Sequence, residues 1–261
     1  MRLLRNRLGS RECRHTGMGM IVGAALLAWI APALAETEVR VVTAFHAVEF
    51  AAPGELTLSL SDAESLTLDA APEVQARILT EVENGVLRIE VAGTSPLRSK
   101  APILIAVGYR KLDRVGVEGS GYLRSGAMAS DTLDLKVIGS GRLEIGTFEG
   151  QALTAAVAGS GSLHVKALTA QTLSGSASGS GRLFFAGTVA TQVVSLSGSG
   201  ALQALELRSA DATINLAGSG SARVWVDDHL NVTLSGSGRV RYRGDPHVRQ
   251  SITGSGVVRK E

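Results

Sequence analysis

The chain has 261 residues with 26 basic and 24 acidic side chains, a formal net charge of +2, and it contains a single cysteine. A net charge this close to zero gives no support for binding to nucleic acid. One cysteine cannot form an intramolecular disulfide, so the hydrophobic core and the backbone hydrogen bonds must hold the fold together.

Residues 1–35 have the three parts of a secretory signal peptide. Five arginines lie between positions 2 and 14, an apolar run covers positions 18–30, and Ala33-Leu-Ala35 provides a cleavage site. The apolar run is too short for a helix that crosses a hydrocarbon core of about 30 Å. We therefore expect export, with no transmembrane segment in the mature chain. Cleavage removes Cys13 with five basic residues and one acidic residue, which leaves a formal net charge of −2.

Residues 36–110 are predicted to form an N-terminal β cap on the rest of the chain. Glu83-Asn-Gly85 is a turn signal, and the segment that begins at Pro72 is predicted to form a short helical turn. A cap is expected because an open end of a strand stack is an unpaired edge that invites aggregation. Alternation of apolar and polar residues predicts strands over 39–42, 56–60, 66–68, 86–91 and 103–107.

The strongest signal in the chain is a repeat of Gly-Ser-Gly within residues 111–261. Eight triplets begin at 119, 139, 159, 179, 198, 218, 236 and 254, so the step along the chain is nearly constant. The residues two before and two after every triplet are apolar, a register that a flexible Gly/Ser linker would not keep. Alternation with a period of two on both sides predicts strands, and no pattern of period 3.6 predicts crossover helices. The sequence therefore predicts an all-β fold, a parallel β-helix of about eight rungs of about 20 residues. A right-handed coil is favoured.

The alternation of side chains also predicts the orientation of the triplets. Both glycines fall on the inward phase and the serine falls on the outward phase. We expect the inward glycines to relieve crowding against the adjacent rung. The serines should form an outward column at the strand spacing of about 4.8 Å.

Several of these motifs resemble those of a bacterial family. They are Val-x-x-Gly-x-Leu-x-Ile from Val82 to Ile89, the serial Ser-Gly-Ser-Gly rungs, and Tyr-x-Gly-x-Pro from Tyr242 to Pro246. They are similar to the family of putative auto-transporter adhesins with a head GIN domain, over about residues 43–261. The resemblance implies one continuous β-helix-like domain with an adhesion-type role. It also implies an exported bacterial protein, located in the periplasm, at the cell surface or outside the cell.

The last two steps between triplets are equal in length, and they place acidic and imidazole side chains at equivalent positions. Asp227 and Asp245 are one such step apart, as are His229 and His247, and Asp211 precedes His229 by the same step. Imidazole and carboxylate groups both bind metal ions, so Asp227, His229, Asp245 and His247 are a candidate divalent-cation site. The alternative is a polar corner of ordinary turn residues.

Three arginines lie three positions after their triplets. Arg223, Arg241 and Arg259 should therefore form an outward column, flanked by Arg239 and Arg243. Stacked cations attract anions, so this column is a candidate site for an anionic glycan, a lipid head group or a phosphate. The alternative is a solvated basic face that neighbouring aspartates screen.

The sequence predicts no catalytic residues and no cofactor. Outward positions are mostly Ser, Thr, Gly and Arg, whereas a glycosidase needs two carboxylates placed about a cleft. His164 is expected on an outward position without a carboxylate partner in register. The favoured hypothesis is an exported, non-catalytic β-solenoid that binds an envelope protein or a glycan. The alternatives are a carbohydrate-active or metal-dependent enzyme at the Asp/His corner, and a structural envelope component without a ligand.

Overall fold

The computed structural model describes residues 36–93, 97, 99 and 101–261, so the predicted signal peptide lies outside the described residues. The N-terminal elements are β1 (Glu36–Arg40), β2 (Ala47–Ala51), β3 (Glu55–Leu60), β4 (Ser65–Ala70), α1 (Pro72–Gln75), β5 (Ile78–Glu83), β6 (Val86–Val91) and β7 (Leu104–Tyr109). The repeat region contains β8 (Arg114–Gly119), β9 (Tyr122–Ala129), β10 (Thr132–Gly139), β11 (Arg142–Glu149), β12 (Ala152–Gly159) and β13 (Ser162–Gly179). It continues with β14 (Arg182–Gly198), β15 (Ala201–Gly218), β16 (Ser221–Gly236), β17 (Arg239–Arg243), β18 (His247–Thr253) and β19 (Val257–Lys260).

Each rung supplies one segment to each of two parallel sheets, and the Gly-Ser-Gly triplets form one corner between them. Sheet 1 contains the segments that precede the triplets, from β8, β10 and β12 to β18. Sheet 2 contains the segments that follow the triplets, from β9 and β11 to β17 and β19. The long strands β13 to β16 bend through the second corner and belong to both sheets. The predicted parallel β-helix is confirmed.

The eight triplets are corners, and eight corners enclose seven intervals. The solenoid accordingly has about seven turns. Triplet glycines pair directly across the ladder, as Gly139 does with Gly119 and with Gly159. The step along the chain from one triplet to the next is therefore the length of one turn.

The N-terminal strands extend both sheets in an order that differs from their order in the chain. In sheet 1, β2 lies between β8 and β6, and in sheet 2, β3 lies between β9 and β7, all of them parallel. Three antiparallel strands then follow: β5 pairs with β6, β4 pairs with β7, and β1 pairs with β4. The ladder therefore runs without a break from residues 36–110 into the repeat.

The core lies between the two sheets and consists of aliphatic columns. Two of these columns are formed by the apolar residues that flank the triplets, and they are buried on every rung except the last. On that rung Ile252 remains 39% exposed, and Val258 is half-buried. Rungs further inside bury these positions because a neighbouring rung covers each edge.

The alternation predicts that both glycines of each triplet point inward, but only one of them does. The second glycine is buried on all rungs but the last, whereas the first is exposed or half-exposed. The first glycine of every triplet has a positive φ, for example +112° at Gly159. This conformation turns the chain at the corner, so the period of two does not continue through the triplet.

Sheet 2 contains irregularities on adjacent rungs. The register shifts between Val165 and Leu168 where β13 pairs with β14, and between Phe184 and Ala186 where β14 pairs with β15. A third shift separates Ala204 from Arg208 where β15 pairs with β16. Bulges of this kind bend the strand locally and change the direction of nearby side chains.

Candidate functional site

The arginines of the predicted column lie in register on the outer face of sheet 2. Arg223 pairs with Arg241, and Arg241 pairs with Arg259. The carboxylate of Glu261 lies 3.0 Å from Arg223 and 3.8 Å from Arg241, so it screens part of the column. The sequence had indicated aspartates as the screening groups, whereas the structure places Glu261 here.

The flanking arginines have different surroundings. The guanidinium of Arg243 lies 4.3 Å from the centre of the Trp225 ring, a cation–π contact. Within the described part of the chain, Arg239 and Arg259 have no carboxylate within 4.0 Å. The column therefore keeps positive charge that a bound anion could neutralise.

The candidate metal ligands are only partly brought together. Asp211, His229 and His247 are in register on three rungs, with Nδ1 of His229 2.9 Å from Oδ1 of Asp211. The rings of His229 and His247 are 5.9 Å apart between centroids. No group of three or more His, Cys, Asp or Glu residues in the described ranges is arranged to hold a metal ion.

The two aspartates of the candidate metal site bind cationic side chains. Asp227 accepts a hydrogen bond of 2.7 Å from Nε of Arg208, and Asp245 accepts one of 2.9 Å from Nζ of Lys260. The Lys260 ammonium lowers the pKa of Asp245, because it stabilises the ionised carboxylate. Both carboxylates thus have cationic partners at this corner.

The bulges of sheet 2 surround a concavity of about 630 Å³ on its outer face. His164, Phe184, Gln203 and Arg223 occupy equivalent positions on four successive rungs and all line it. Lys166, Arg182 and Glu206 also line it. One open site thus combines an aromatic ring, an amide and charged groups of both signs.

Glu144 and Lys166 form an ion pair beside the concavity. Lys166 donates a hydrogen bond to Glu144, and the hydroxyl of Tyr122 lies 3.3 Å from the other carboxylate oxygen. The hydrogen bond from Lys166 is the main reason why the pKa of Glu144 is lowered, and it raises the pKa of Lys166. This pair holds the ammonium group of Lys166 at the rim.

His164 packs against Phe184, with ring centroids 4.0 Å apart. Burial lowers the pKa of His164, and the nearby positive charge of Arg142 lowers it further. The imidazole is therefore mainly neutral at pH 7. The expectation that His164 has no carboxylate in register is wrong, because Glu144 occupies the equivalent position on the preceding rung.

The outer face of sheet 1 has a different composition. A concavity of about 420 Å³ on this face is lined by Ala, Val, Leu, Ser, Thr and Asn, and Lys136 is the one charged residue among the described residues that line it. The charged concavity and the arginine column are therefore both on sheet 2, where electrostatic recognition of a ligand would take place.

The same β-solenoid fold occurs in solved structures of proteins described as putative adhesins. The chain belongs to the family of putative auto-transporter adhesins with a head GIN domain, whose model matches residues 44–246. The resemblance inferred from the sequence motifs is confirmed.

Solved structures share the fold across most of the chain. A putative adhesin from Parabacteroides merdae ATCC 43184 is 20% identical, with a TM-score of 0.83 over 87% of this chain and 96% of the other. A putative lipid binding protein from Parabacteroides distasonis ATCC 8503 is 27% identical, with a TM-score of 0.84 over 87% and 97%. A putative adhesin from Bacteroides fragilis NCTC 9343 is 18% identical, with a TM-score of 0.68 over 87% and 96%. No curated protein matches the chain in sequence.

Within the described ranges, no helix has the length and apolar character needed to cross a membrane.

Proposed function

We propose that the protein is an exported, non-catalytic binding module of the adhesion type that uses the outer face of sheet 2. The observation that carries this proposal is the arginine column Arg223, Arg241 and Arg259, flanked by Arg239 and Arg243. Membership of the adhesin family supports an adhesion-type role. The signal-peptide pattern of residues 1–35 supports export to the periplasm or the cell surface.

The chemistry of this face favours an anionic glycan as the ligand. Strands in a sheet are about 4.8 Å apart, so the column presents cations at close and regular intervals on a rigid scaffold. Cations at this spacing repel each other, and a ligand with several negative charges relieves the repulsion. One carboxylate, Glu261, partly screens Arg223 and Arg241, so the column as a whole keeps a net positive charge for the ligand, and Arg241 remains half exposed.

A glycan array probed at low and at high salt tests this proposal on the purified exported protein. We expect binding to anionic glycans that weakens as salt increases, because the arginines are exposed to solvent. Arg241→Ala should weaken binding by about fivefold, which corresponds to about 1 kcal/mol. Arg88→Ala is the matched control, since the Arg88 side chain is 51% exposed and that of Arg241 is 50% exposed. Arg88 lies in β6 at the other end of the stack and should not affect binding.

Two outcomes would contradict the proposal. Binding that does not respond to salt or to Arg241→Ala would exclude the arginine column as the contact. A uniformly negative array would favour a structural envelope component. Because one solved relative is described as a putative lipid binding protein, vesicles that contain phosphatidylglycerol belong in the same experiment. Binding to vesicles without binding to glycans would assign the column to a lipid head group.

The alternative proposal is an enzyme that acts on carbohydrate or requires a metal at the Asp227, His229, Asp245 and His247 corner. The pairing of Asp227 with Arg208 and of Asp245 with Lys260 favours the non-catalytic proposal, because both carboxylates already have cationic partners. Metal analysis of the purified protein distinguishes the two. A stoichiometric metal that is lost in Asp245→Ala would favour the metal-dependent alternative.

A further inference from the structure

We propose that the concavity on sheet 2 is a binding site for a single sugar residue that carries a carboxylate, a uronic acid within a linear acidic polysaccharide. This inference rests on the proposed function and names the ligand class. It concerns His164, Lys166, Arg182, Phe184, Gln203 and Arg223, of which only Arg223 belongs to the arginine column.

The backbone provides the space for such a ligand. Register shifts in three adjacent strand pairs interrupt the regular ladder beside these residues. Gly187 lies beside one shift at a φ of +121°, and a Cβ atom there would collide with the carbonyl oxygen of Leu168. Only glycine permits this close approach, so the local sequence maintains the bulge. The volume of about 630 Å³ lies within the range of about 300–1,000 Å³ that is common for small-ligand sites.

Phe184 favours a sugar over a simple anion. Its ring lines the concavity and packs against His164 on the preceding rung. An aromatic ring among charged and amide groups offers an apolar surface for the C–H face of a pyranose. A phosphate or a sulfate has no apolar face and would gain nothing from this ring.

The surrounding charges favour a carboxylate on that sugar. Arg182 lines the concavity and has no carboxylate within 4.0 Å in the described part of the chain, so its guanidinium remains available. A guanidinium binds a carboxylate through two parallel hydrogen bonds. Lys166 and Arg223 add positive charge, although each is shared with a glutamate. Glu206 also lines the concavity, so three cationic side chains face one carboxylate and the lining keeps a net positive charge. The amide of Gln203 can both donate and accept hydrogen bonds with sugar hydroxyl groups.

The position of the concavity favours a polymer over a free monosaccharide. Arg223 lies at its edge and is also the first member of the column that continues through Arg241 to Arg259. The spacing of about 4.8 Å between rungs is comparable to the length of one sugar residue in an extended chain. A polyuronate with one residue over Phe184 would therefore place later carboxylates over the following arginines.

Isothermal titration calorimetry at pH 7.5 with defined oligosaccharides tests this site. The probes are tetramers of galacturonate, mannuronate and glucuronate, each compared with its neutral methyl ester. We expect at least one acidic tetramer to bind and its ester to bind at least about tenfold more weakly, because the ester lacks the charge that Arg182 recognises. Phe184→Ala should weaken binding by about tenfold, whereas Phe184→Tyr should preserve it. Arg182→Gln should weaken binding by about fivefold or more.

Arg249→Gln is the matched control for Arg182→Gln. Arg249 lies in β18 on sheet 1, is exposed like Arg182, and does not line the concavity. Its substitution removes the same charge and should change affinity by less than about twofold. A thermal melt of each variant confirms that the fold is retained, and Phe184→Tyr tests the site even where Phe184→Ala fails to fold.

The outcomes separate this inference from the proposed function. Binding of an acidic tetramer that weakens in Arg241→Ala but not in Phe184→Ala or Arg182→Gln would overturn the sugar site. It would still support the arginine column as the binding surface. Equal binding of acid and ester, or no binding of all three tetramers, would also overturn it. Vesicles of phosphatidylglycerol that bind in a way that depends on Arg182 but not on Phe184 would reassign the concavity to a lipid head group.

Discussion

At the residue scale, the two glycines of a triplet meet different constraints. The first has a positive φ, and in every triplet after that of Gly119 a side chain on it would also collide with the preceding rung. A Cβ atom added to Gly159 would lie 2.5 Å from the carbonyl oxygen of Gly139. The second glycine is limited by packing, since the Cβ position of Gly161 lies 2.7 Å from Cγ1 of Val137. The corner therefore depends on the backbone conformation of the first glycine and on the absence of a side chain at the second.

Replacement of one corner glycine tests this account. Gly159→Ala should reduce the free energy of unfolding by about 2–4 kcal/mol, because it combines a strained φ with a backbone collision. Gly126→Ala is the control, since Gly126 lies in β9 without a positive φ, and its Cβ position has no atom within 4 Å. The control should be neutral or stabilising by about 0.4–1 kcal/mol. Denaturant unfolding of both variants measures the difference, and equal effects would disprove the corner role.

A second prediction at this scale concerns the titration of His164. Burial and Arg142 lower its pKa from the ordinary value of 6.5. Between pH 6.5 and the lower pKa of the folded state, the unfolded chain therefore binds a proton that the folded chain does not bind, and stability decreases as the pH falls through this window. Arg142→Gln should raise the pKa of His164, measured by NMR titration of the imidazole ring. His164→Asn should reduce the loss of stability at acidic pH, and an unchanged pH profile would contradict the assignment.

At the element scale, a chain of two hydrogen bonds lies within the aliphatic core. Gln192 is fully buried in sheet 1 between Leu173 and Ala212 of the adjacent rungs. Its amide nitrogen donates a hydrogen bond of 2.8 Å to the hydroxyl of Ser209, which lies 3.1 Å from the carbonyl oxygen of Trp225. The side-chain oxygen of Gln192 has no hydrogen-bond partner in the described ranges. Gln192 thus introduces an unpaired acceptor into an otherwise apolar column.

The cost of this arrangement can be measured by a double-mutant cycle. Ser209→Ala should reduce the free energy of unfolding by about 1–3 kcal/mol, because it leaves the amide of Gln192 without a buried acceptor. Gln192→Leu should change stability by less than about 1 kcal/mol, since it removes both the bonded donor and the unpaired acceptor. The stability of the double variant should then be close to that of Gln192→Leu alone. A loss of more than about 2 kcal/mol in Gln192→Leu would show that the amide stabilises the core.

The elements differ in how much of their structure could be predicted from sequence. Alternation identified the face of each strand, and the apolar residues beside the first seven triplets are all buried. It could not identify the order in which β6, β2 and β8 pair, because alternation fixes the face of a strand and not its neighbour. The prediction that the first glycine of each triplet points inward is wrong for a related reason, since its positive φ interrupts the alternation, whereas the second glycine is buried as predicted on all rungs but the last.

The number of residues between successive triplets indicates where the concavity lies. The step from Gly179 to Gly198 is one residue shorter than each of the three steps before it. Val165 pairs with Phe185, and Leu168 pairs with Gly187, so one residue is lost within this stretch. A change in repeat length therefore indicates a bulge within that turn. The contribution of Phe184 and Gln203 to one site still depends on how the strands bend, which no spacing specifies.

At the scale of the whole molecule, the two ends of the solenoid are closed differently. Three antiparallel strands, β1, β4 and β5, lie at the N-terminal end. At the other end, the side chains of β18 and β19 are half-buried or exposed. In a stack where each turn contacts only its neighbours, a turn with one covered face opens more readily than a turn with two.

Amide hydrogen exchange should therefore show a gradient along the stack. We expect the slowest exchange in β12 to β15 and the fastest in β18 and β19, because the central turns are covered on both edges. The loss of unfolding free energy in a pair of valine substitutions tests the same gradient. Val157 in β12 is 2% exposed, whereas Val258 in β19 is half-buried.

Val157→Ala should reduce the free energy of unfolding by about 2 kcal/mol, because it removes buried apolar surface and leaves a cavity between two covered turns. Val258→Ala should cost less than half as much, since that side chain is already partly in contact with solvent and the last turn can open on its own. Uniform exchange rates across β12 to β19, together with equal costs for the two substitutions, would show that the stack unfolds as one cooperative unit.

A gradient in both measurements would place the arginine column on the less stable end of the solenoid and the proposed sugar site nearer its stable centre. The end turns open most often, so they have the most stability to gain from a ligand that binds only the closed turns. A bound acidic polymer should then slow exchange in β17 and β19 more than in β13. Slower exchange in β13 alone would instead limit the contact to the concavity.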